Sequence, residues 1–152
     1  MKVLTSILIL SALVIPELSI AADTNLVSQE VSIESSGLPS TPIELFVNEP
    51  WLSSIRDGLK TVEGRAGPLI EFAGWVGKQA KFYSKEQELI INVLEVHHYD
   101  TLNDYLNAEG WQNAAPHLSS FEETVYAYLQ FYPGDYIRDH GGMNGIIVSV
   151  QR

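Results

Sequence analysis

No cysteine occurs among the 152 residues, which excludes a disulfide framework and any thiolate ligand set for zinc. A secreted domain of this composition relies on its core alone. Basic residues are also scarce: nine Lys and Arg stand against 19 Asp and Glu, a formal net charge of −10. Such a field repels phosphate backbones and provides no counterion release, which argues against duplex DNA as a partner. A nucleic-acid role would have to be local, a single base or nucleoside held in a pocket. Long apolar runs are missing too. The longest, Val3 to Ile15, is too short for a comfortable membrane span.

That run belongs to MKVLTSILILSALVIPELSIAA, residues 1–22, which has one basic residue, the helix breaker Pro16 and a small-residue exit at Ser19-Ile20-Ala21. This is the layout of a secretory signal peptide cleaved after Ala21 or Ala22, so the protein is expected to be secreted, with no stable membrane insertion after cleavage. An uncleaved signal would anchor it to the membrane instead, and a misassigned start would leave it intracellular. Removing these residues takes away Lys2 and Glu17 and leaves the net charge unchanged. Residues 23–42 are Ser-rich, with Gly37, Pro39 and Pro42, and read as a flexible linker with a brief alternation at Val27–Ile33. Residues 43–152 then suffice for one domain, expected to be a monomer.

Within that domain Ile43–Val47 alternates as a strand, closed by Asn48 and Pro50. Pro50 suits the first turn of a helix whose apolar face is Trp51, Leu52 and Ile55 and whose stop is Gly58. Lys60–Arg65 reads as a second strand. Leu69–Lys81 is ambiguous, one or two helical turns interrupted by Gly74 and Gly77. Lys81–Ser84 and Leu89–Tyr99 form a hairpin. Its second strand is expected to be central, with Ile90, Asn92, Leu94, Val96 and His98 on one face and Ile91, Val93, Glu95 and His97 on the other. Neighbouring strand residues point opposite ways, so His97 and His98 are not expected to chelate one metal ion. Two helices follow: one capped by Thr101 and ending at Gly110, with Leu102, Tyr105 and Leu106 inside, and one capped by Ser120, with an apolar stripe of Val125, Tyr128, Leu129 and Tyr132. Ile146–Val150 is the last strand. Without a repeating βαβ rhythm the fold class is α+β.

The segment Val47–Gly67 concentrates charge in an unusual way. In a strand Thr61, Glu63 and Arg65 share one face, where a covered strand would carry Val or Phe. Taken as residues alone, this is either a solvated ion pair of little energetic weight or a polar site.

The same segment resembles the signature of the ASCH domain family, a Gly-x-Lys-x-x-x-x-Arg pattern that reads Gly58, Lys60 and Arg65 here. Upstream Glu49-Pro50-Trp51 with Ile55, and downstream "LNAEG", "FEETVYAYLQFY" and "GGMNGIIVSV", extend the resemblance over Ile43–Arg152. It implies a small PUA-like β-barrel with flanking helices over the mouth, and a cleft lined by the signature Lys60 and Arg65. Small acetylcytidine amidohydrolases of the family use the lysine, a threonine and a downstream glutamate. These positions correspond to Lys60, Glu63 in place of the threonine, and Glu109. Gly77-Lys78 stands where the family commonly has Gly-Asp.

Two classes of function follow from these residues. As a hydrolase of an acylated nucleoside such as N4-acetylcytidine, Lys60 would be base or nucleophile, its pKa lowered by burial and by Arg65, while Glu109 moves a proton and Arg65 holds an oxyanion. Glu63 opposes this by holding the ammonium charged. As a binding module for RNA or a modified nucleoside, the favoured reading, Arg65 offers a planar fork, Lys60 a point charge, and Gly58 and Trp51 complete the binding set. Trp75, Tyr83, Tyr99 or Trp111 are further candidates for stacking on a base. A ribonuclease is a weaker third reading. No cofactor or metal is expected.

Overall fold

The computed structural model describes residues 42–151. The expected signal peptide, the alternation at residues 27–33 and all of the expected linker but Pro42 lie outside them. Among the described residues no helix is long and apolar enough to cross a membrane.

Five strands form one sheet: β1 (Ile43–Phe46), β2 (Val62–Ala66), β3 (Gln79–Tyr83), β4 (Glu88–Tyr99) and β5 (Met143–Val150). Their order is β1-β3-β4-β5-β2, antiparallel throughout except for the parallel pair β1 and β3. The sheet curls into a partial barrel, and its two edges, β1 and β2, come close enough for one side chain to bridge them: Arg65 Nη2 donates to the Phe46 carbonyl at 2.6 Å. The expected architecture, α+β with a small β-barrel and flanking helices, is the one present.

β5 is apolar on both faces because both are covered, whereas the first half of β4 is covered on one face and leaves Ile90 and Leu94 exposed on the other. On the concave side Phe82, Ile91, Val93, Ile146 and Val148 pack with Leu52 and Ile55 of α1 (Trp51–Arg56). On the convex side Val62 and Met143 pack with residues of α2 (Leu102–Glu109), α3 (Trp111–Ala114), α4 (Phe121–Phe131) and α5 (Tyr136–Asp139). Tyr105 lies flat on this face because the cross-strand pair Gly64 and Gly145 leaves bare backbone beneath it. A Cβ on Gly145 would come within 3.1 Å of the Tyr105 ring, and one on Gly64 within 2.7 Å of its hydroxyl.

Caps form where their residues suggest. Asp104 N–H donates to the Thr101 hydroxyl and Glu123 N–H to that of Ser120, each at 3.1 Å. The ambiguous stretch 69–81 becomes two 3-10 turns, Leu69–Glu71 and Ala73–Trp75, followed by the start of β3 at Gln79. The N-terminus of α1 is tied to the β3–β4 turn by Glu49, whose carboxylate accepts from Ser53, from Ser84 Oγ at 3.0 Å and from Gln87 Nε2 at 2.8 Å.

Two expectations need correcting. In α4 the inward stripe includes Thr124 and not Leu129: Thr124 is fully buried, its hydroxyl satisfied by the Ser120 carbonyl at 2.9 Å, while Leu129 is exposed. In β4 a bulge between Val93 and Glu95 makes Leu94 an extra residue. Alternation therefore reverses beyond it. Val96 joins Ile91 and Val93 on the concave side, opposite Ile146, whereas Glu95, His97 and Tyr99 face the helices, opposite Ile147, Gly145 and Met143.

Candidate functional site

The candidate site lies at the seam where the sheet fails to close. Strand β2 directs Glu63 and Arg65 to one face, as its period of two requires, and that face looks into a cavity of about 110 Å³. Lys60, Glu63, Gly64 and Arg65 line one side of it. The opposite walls are aromatic: Phe46 and Trp51 from the β1–α1 side, Tyr128, Phe131 and Tyr132 from α4 and its end.

The three charges form a chain. Glu63 sits between the cations, with Oε2 3.2 Å from Lys60 Nζ and Oε1 accepting from Arg65 Nε at 2.9 Å. Side-chain exposure falls from 23% at Arg65 to 7% at Glu63 and 2% at Lys60, so the solvated ion pair of the sequence reading is a buried triad. Burial by itself would raise the Glu63 pKa; Lys60 and Arg65 outweigh it and keep the carboxyl below its ordinary value. The triad carries one surplus positive charge in a protein that is otherwise acidic.

Lys60 is locked in place. Its ammonium has three N–H groups, and three acceptors meet them: the Val62 carbonyl at 2.7 Å, the Ala114 carbonyl at 2.6 Å and the Glu63 carboxylate. Burial pulls its pKa down and Glu63 pushes back. Trp51 covers the site from above, 5.4 Å from Lys60 Nζ, and rests against His117 at a ring separation of 4.0 Å. Arg65 is less committed: Nε and Nη2 bind Glu63 and Phe46, and Nη1 has no hydrogen-bond partner among the described residues.

Two expected members lie elsewhere. Glu109 is not in this cleft. The β4 bulge brings His97 and Tyr99 under the end of α2, where the Glu109 carboxylate accepts from Tyr99 Oη at 2.5 Å and meets His97 Nδ1 at 2.6 Å. The other His97 nitrogen is 2.8 Å from Glu95, so the imidazole spans two carboxylates and its pKa rises, Glu109 contributing most. His98 turns to Asn144, 2.9 Å away. Gly58 is also outside the cleft. It ends α1 with φ of 74°, a conformation glycine adopts without strain, and its role is to turn the chain toward Lys60.

Of the expected stacking residues only Trp51 reaches the cavity. Trp75 packs on Phe72 and Tyr83 on Phe46. Trp111 packs into the convex core. Phe46, Tyr128, Phe131 and Tyr132 were hidden from sequence reasoning because Phe46 reads as strand and Tyr128 and Tyr132 as a core stripe. Phe131, off that stripe, was the available signal.

No protein-family model matches the chain, and no curated protein matches it. Solved structures do share its fold. The crystal structure of hypothetical protein PH0355 is 24% identical with a TM-score of 0.63, the match covering 73% of this chain and 100% of that one. The solution NMR structure of PF0455 from Pyrococcus furiosus is 21% identical with a TM-score of 0.58, covering 74% of this chain and 99% of the other. At these identities the likeness is one of fold.

Proposed function

We propose that the seam cavity binds a single nucleobase, presented as a modified nucleoside or as one unstacked base of an RNA. The observation that carries this reading is an aromatic rim around an incompletely used guanidinium. Phe46 and Phe131 line the cavity with 39% and 53% of their surface exposed, and Arg65, which also lines it, has two N–H donors on Nη1 without a partner among the described residues. A planar ring stacks on the first and is hydrogen-bonded by the second. The surplus charge of the triad attracts an electron-rich base edge, while the acidic remainder of the surface disfavours a long polyanion. The resemblance to ASCH-domain proteins points to the same ligand class.

Binding is favoured over amide hydrolysis by the state of Lys60. A base or nucleophile needs a free lone pair, and this ammonium is held by three acceptors, one of them a carboxylate. Glu109, the expected proton carrier, is engaged by His97 and Tyr99 instead.

Calorimetric titration with ribonucleosides and a short single-stranded RNA tests the proposal. Wild-type protein is expected to bind at least one of them saturably. Phe131→Ala is expected to weaken that binding by about 1–3 kcal/mol, the usual cost of losing one stacking ring. Incubation with N4-acetylcytidine is expected to release no cytidine. Absence of binding to every nucleoside and to the RNA would overturn the reading, and release of cytidine that Lys60→Ala abolishes would replace it with hydrolysis.

A further inference from the structure

The hydroxyl oxygens of Tyr105 and Tyr128 lie 3.1 Å apart on the convex face, and neither has another hydrogen-bond partner among the described residues. Burial raises the pKa of both phenols, so both stay protonated at neutral pH and two protons must be placed. One hydrogen bond uses only one of them. Tyr105 has no exposed surface, whereas Tyr128 keeps 8% and lines the seam cavity. Were Tyr128 the donor, the Tyr105 proton would be buried without an acceptor, a costly arrangement. Tyr105 is therefore the donor.

The Tyr128 proton is thus left over, on an oxygen that stands above Gly64 so closely that a Cβ there would be 2.5 Å away. Gly64 is itself a wall of the cavity. Both Glu63 oxygens are already engaged, Oε1 by Arg65 and Oε2 by Lys60. Two of the polar groups left free among the cavity-lining residues can only donate to a ligand, the Tyr128 O–H proton and Arg65 Nη1; the Asn48 amide, nearer the exposed rim, offers a donor and an acceptor.

We propose that Tyr128 is a specificity-determining residue of the seam cavity, donating its hydroxyl proton to the ligand, and that with Arg65 it selects rings presenting acceptor atoms along one edge. This rests on the nucleoside reading of the cavity and refines it. A ring with an unprotonated nitrogen beside a carbonyl fits the pair of donors; a ring presenting N–H to the same place leaves donors facing each other.

Two measurements on the full chain test it. Tyrosine labelled at 13Cζ distinguishes slowly from rapidly exchanging hydroxyl protons; Tyr105 is expected to exchange slowly and Tyr128 quickly. In parallel, cytidine, uridine, adenosine and guanosine are titrated, and whichever binds is compared with the deaza analogue that lacks its ring acceptor. Tyr128→Phe is expected to weaken the parent nucleoside about tenfold and to leave the deaza analogue unchanged. If that variant fails to fold because Tyr105 loses its acceptor, Tyr105→Phe with Tyr128→Phe removes both hydroxyls and carries the same comparison. A slowly exchanging Tyr128 proton, or a variant that binds like wild type, overturns this inference alone. Failure of wild type to bind any nucleoside overturns the proposed function and the ligand selection with it.

Discussion

Lys60 Nζ and the Ala114 carbonyl oxygen meet at 2.6 Å, joining the residue two positions before β2 to the last residue of α3. A cation that on sequence alone looks like a reactive group is, by this contact, a clamp between the sheet and its helical cover.

Loss of the clamp should be expensive. Lys60→Met leaves Glu63 buried with only Arg65 to balance it and leaves two carbonyls without their donor, so stability is expected to fall by about 3–5 kcal/mol, the usual cost of breaking a buried pair. Urea unfolding measures it. A Lys60→Met protein as stable as wild type would show that the ammonium is free.

Acid should weaken the tie between α1 and the β3–β4 turn. Hydrogen bonds, that from Gln87 foremost, hold the Glu49 carboxyl at about 2 against an ordinary value of 4.5. Its folded pKa is depressed, so its contribution is complete above 4.5 and is lost as pH falls from there through about 2. Glu49→Gln should therefore show a flatter loss of stability across that window than wild type in pH-dependent denaturation.

Gly64→Ala places a methyl group 2.5 Å from Tyr128 Oη, 2.7 Å from Tyr105 Oη and 2.8 Å from Met143 Cε. The overpacking is expected to cost about 1–3 kcal/mol, visible as a lower melting temperature. Combining it with Tyr128→Phe removes the nearest obstructing atom, so the two changes together should cost less than their sum.

Glu109→Gln separates the two polar clusters. Because Glu109 lies outside the seam cavity, nucleoside affinity should stay within about twofold of wild type, a change under 0.5 kcal/mol. Stability should respond instead. The His97 pKa is raised above 6.5, so its contribution is complete below that value and disappears as pH rises through the higher folded value. Wild type is expected to lose stability over this alkaline limb, and both Glu109→Gln and His97→Gln to flatten it.

Much of the fold was legible because local signals agreed with one another. Thr101 and Ser120 cap where they should, Gly58 and Gly110 end helices, and the apolar residues of β4 on both faces mark it as central. The pairing of Glu63 with Arg65 followed from their spacing, whereas Lys60, which strand alternation alone would turn to the other face, was expected beside Arg65 only from the resemblance. What spacing cannot reveal is an extra residue. The bulge at Leu94 changes no composition, yet it carries Glu95, His97 and Tyr99 to the helical side and takes Glu109 with them. The aromatic walls were illegible for another reason: Tyr128 and Tyr132 repeat at helical spacing whether they face a core or a cavity at its margin.

The paired glycines of β2 and β5 set a rule for descent. A side chain gained at position 145 would come 2.9 Å from Glu109 Oε1 and 3.1 Å from the Tyr105 ring, so it can be accepted only when the carboxylate swings aside and residue 105 shrinks in the same lineage. Positions 64, 105 and 145 are therefore bound to vary together, and a homologue keeping both glycines should also keep a large aromatic ring resting upon them.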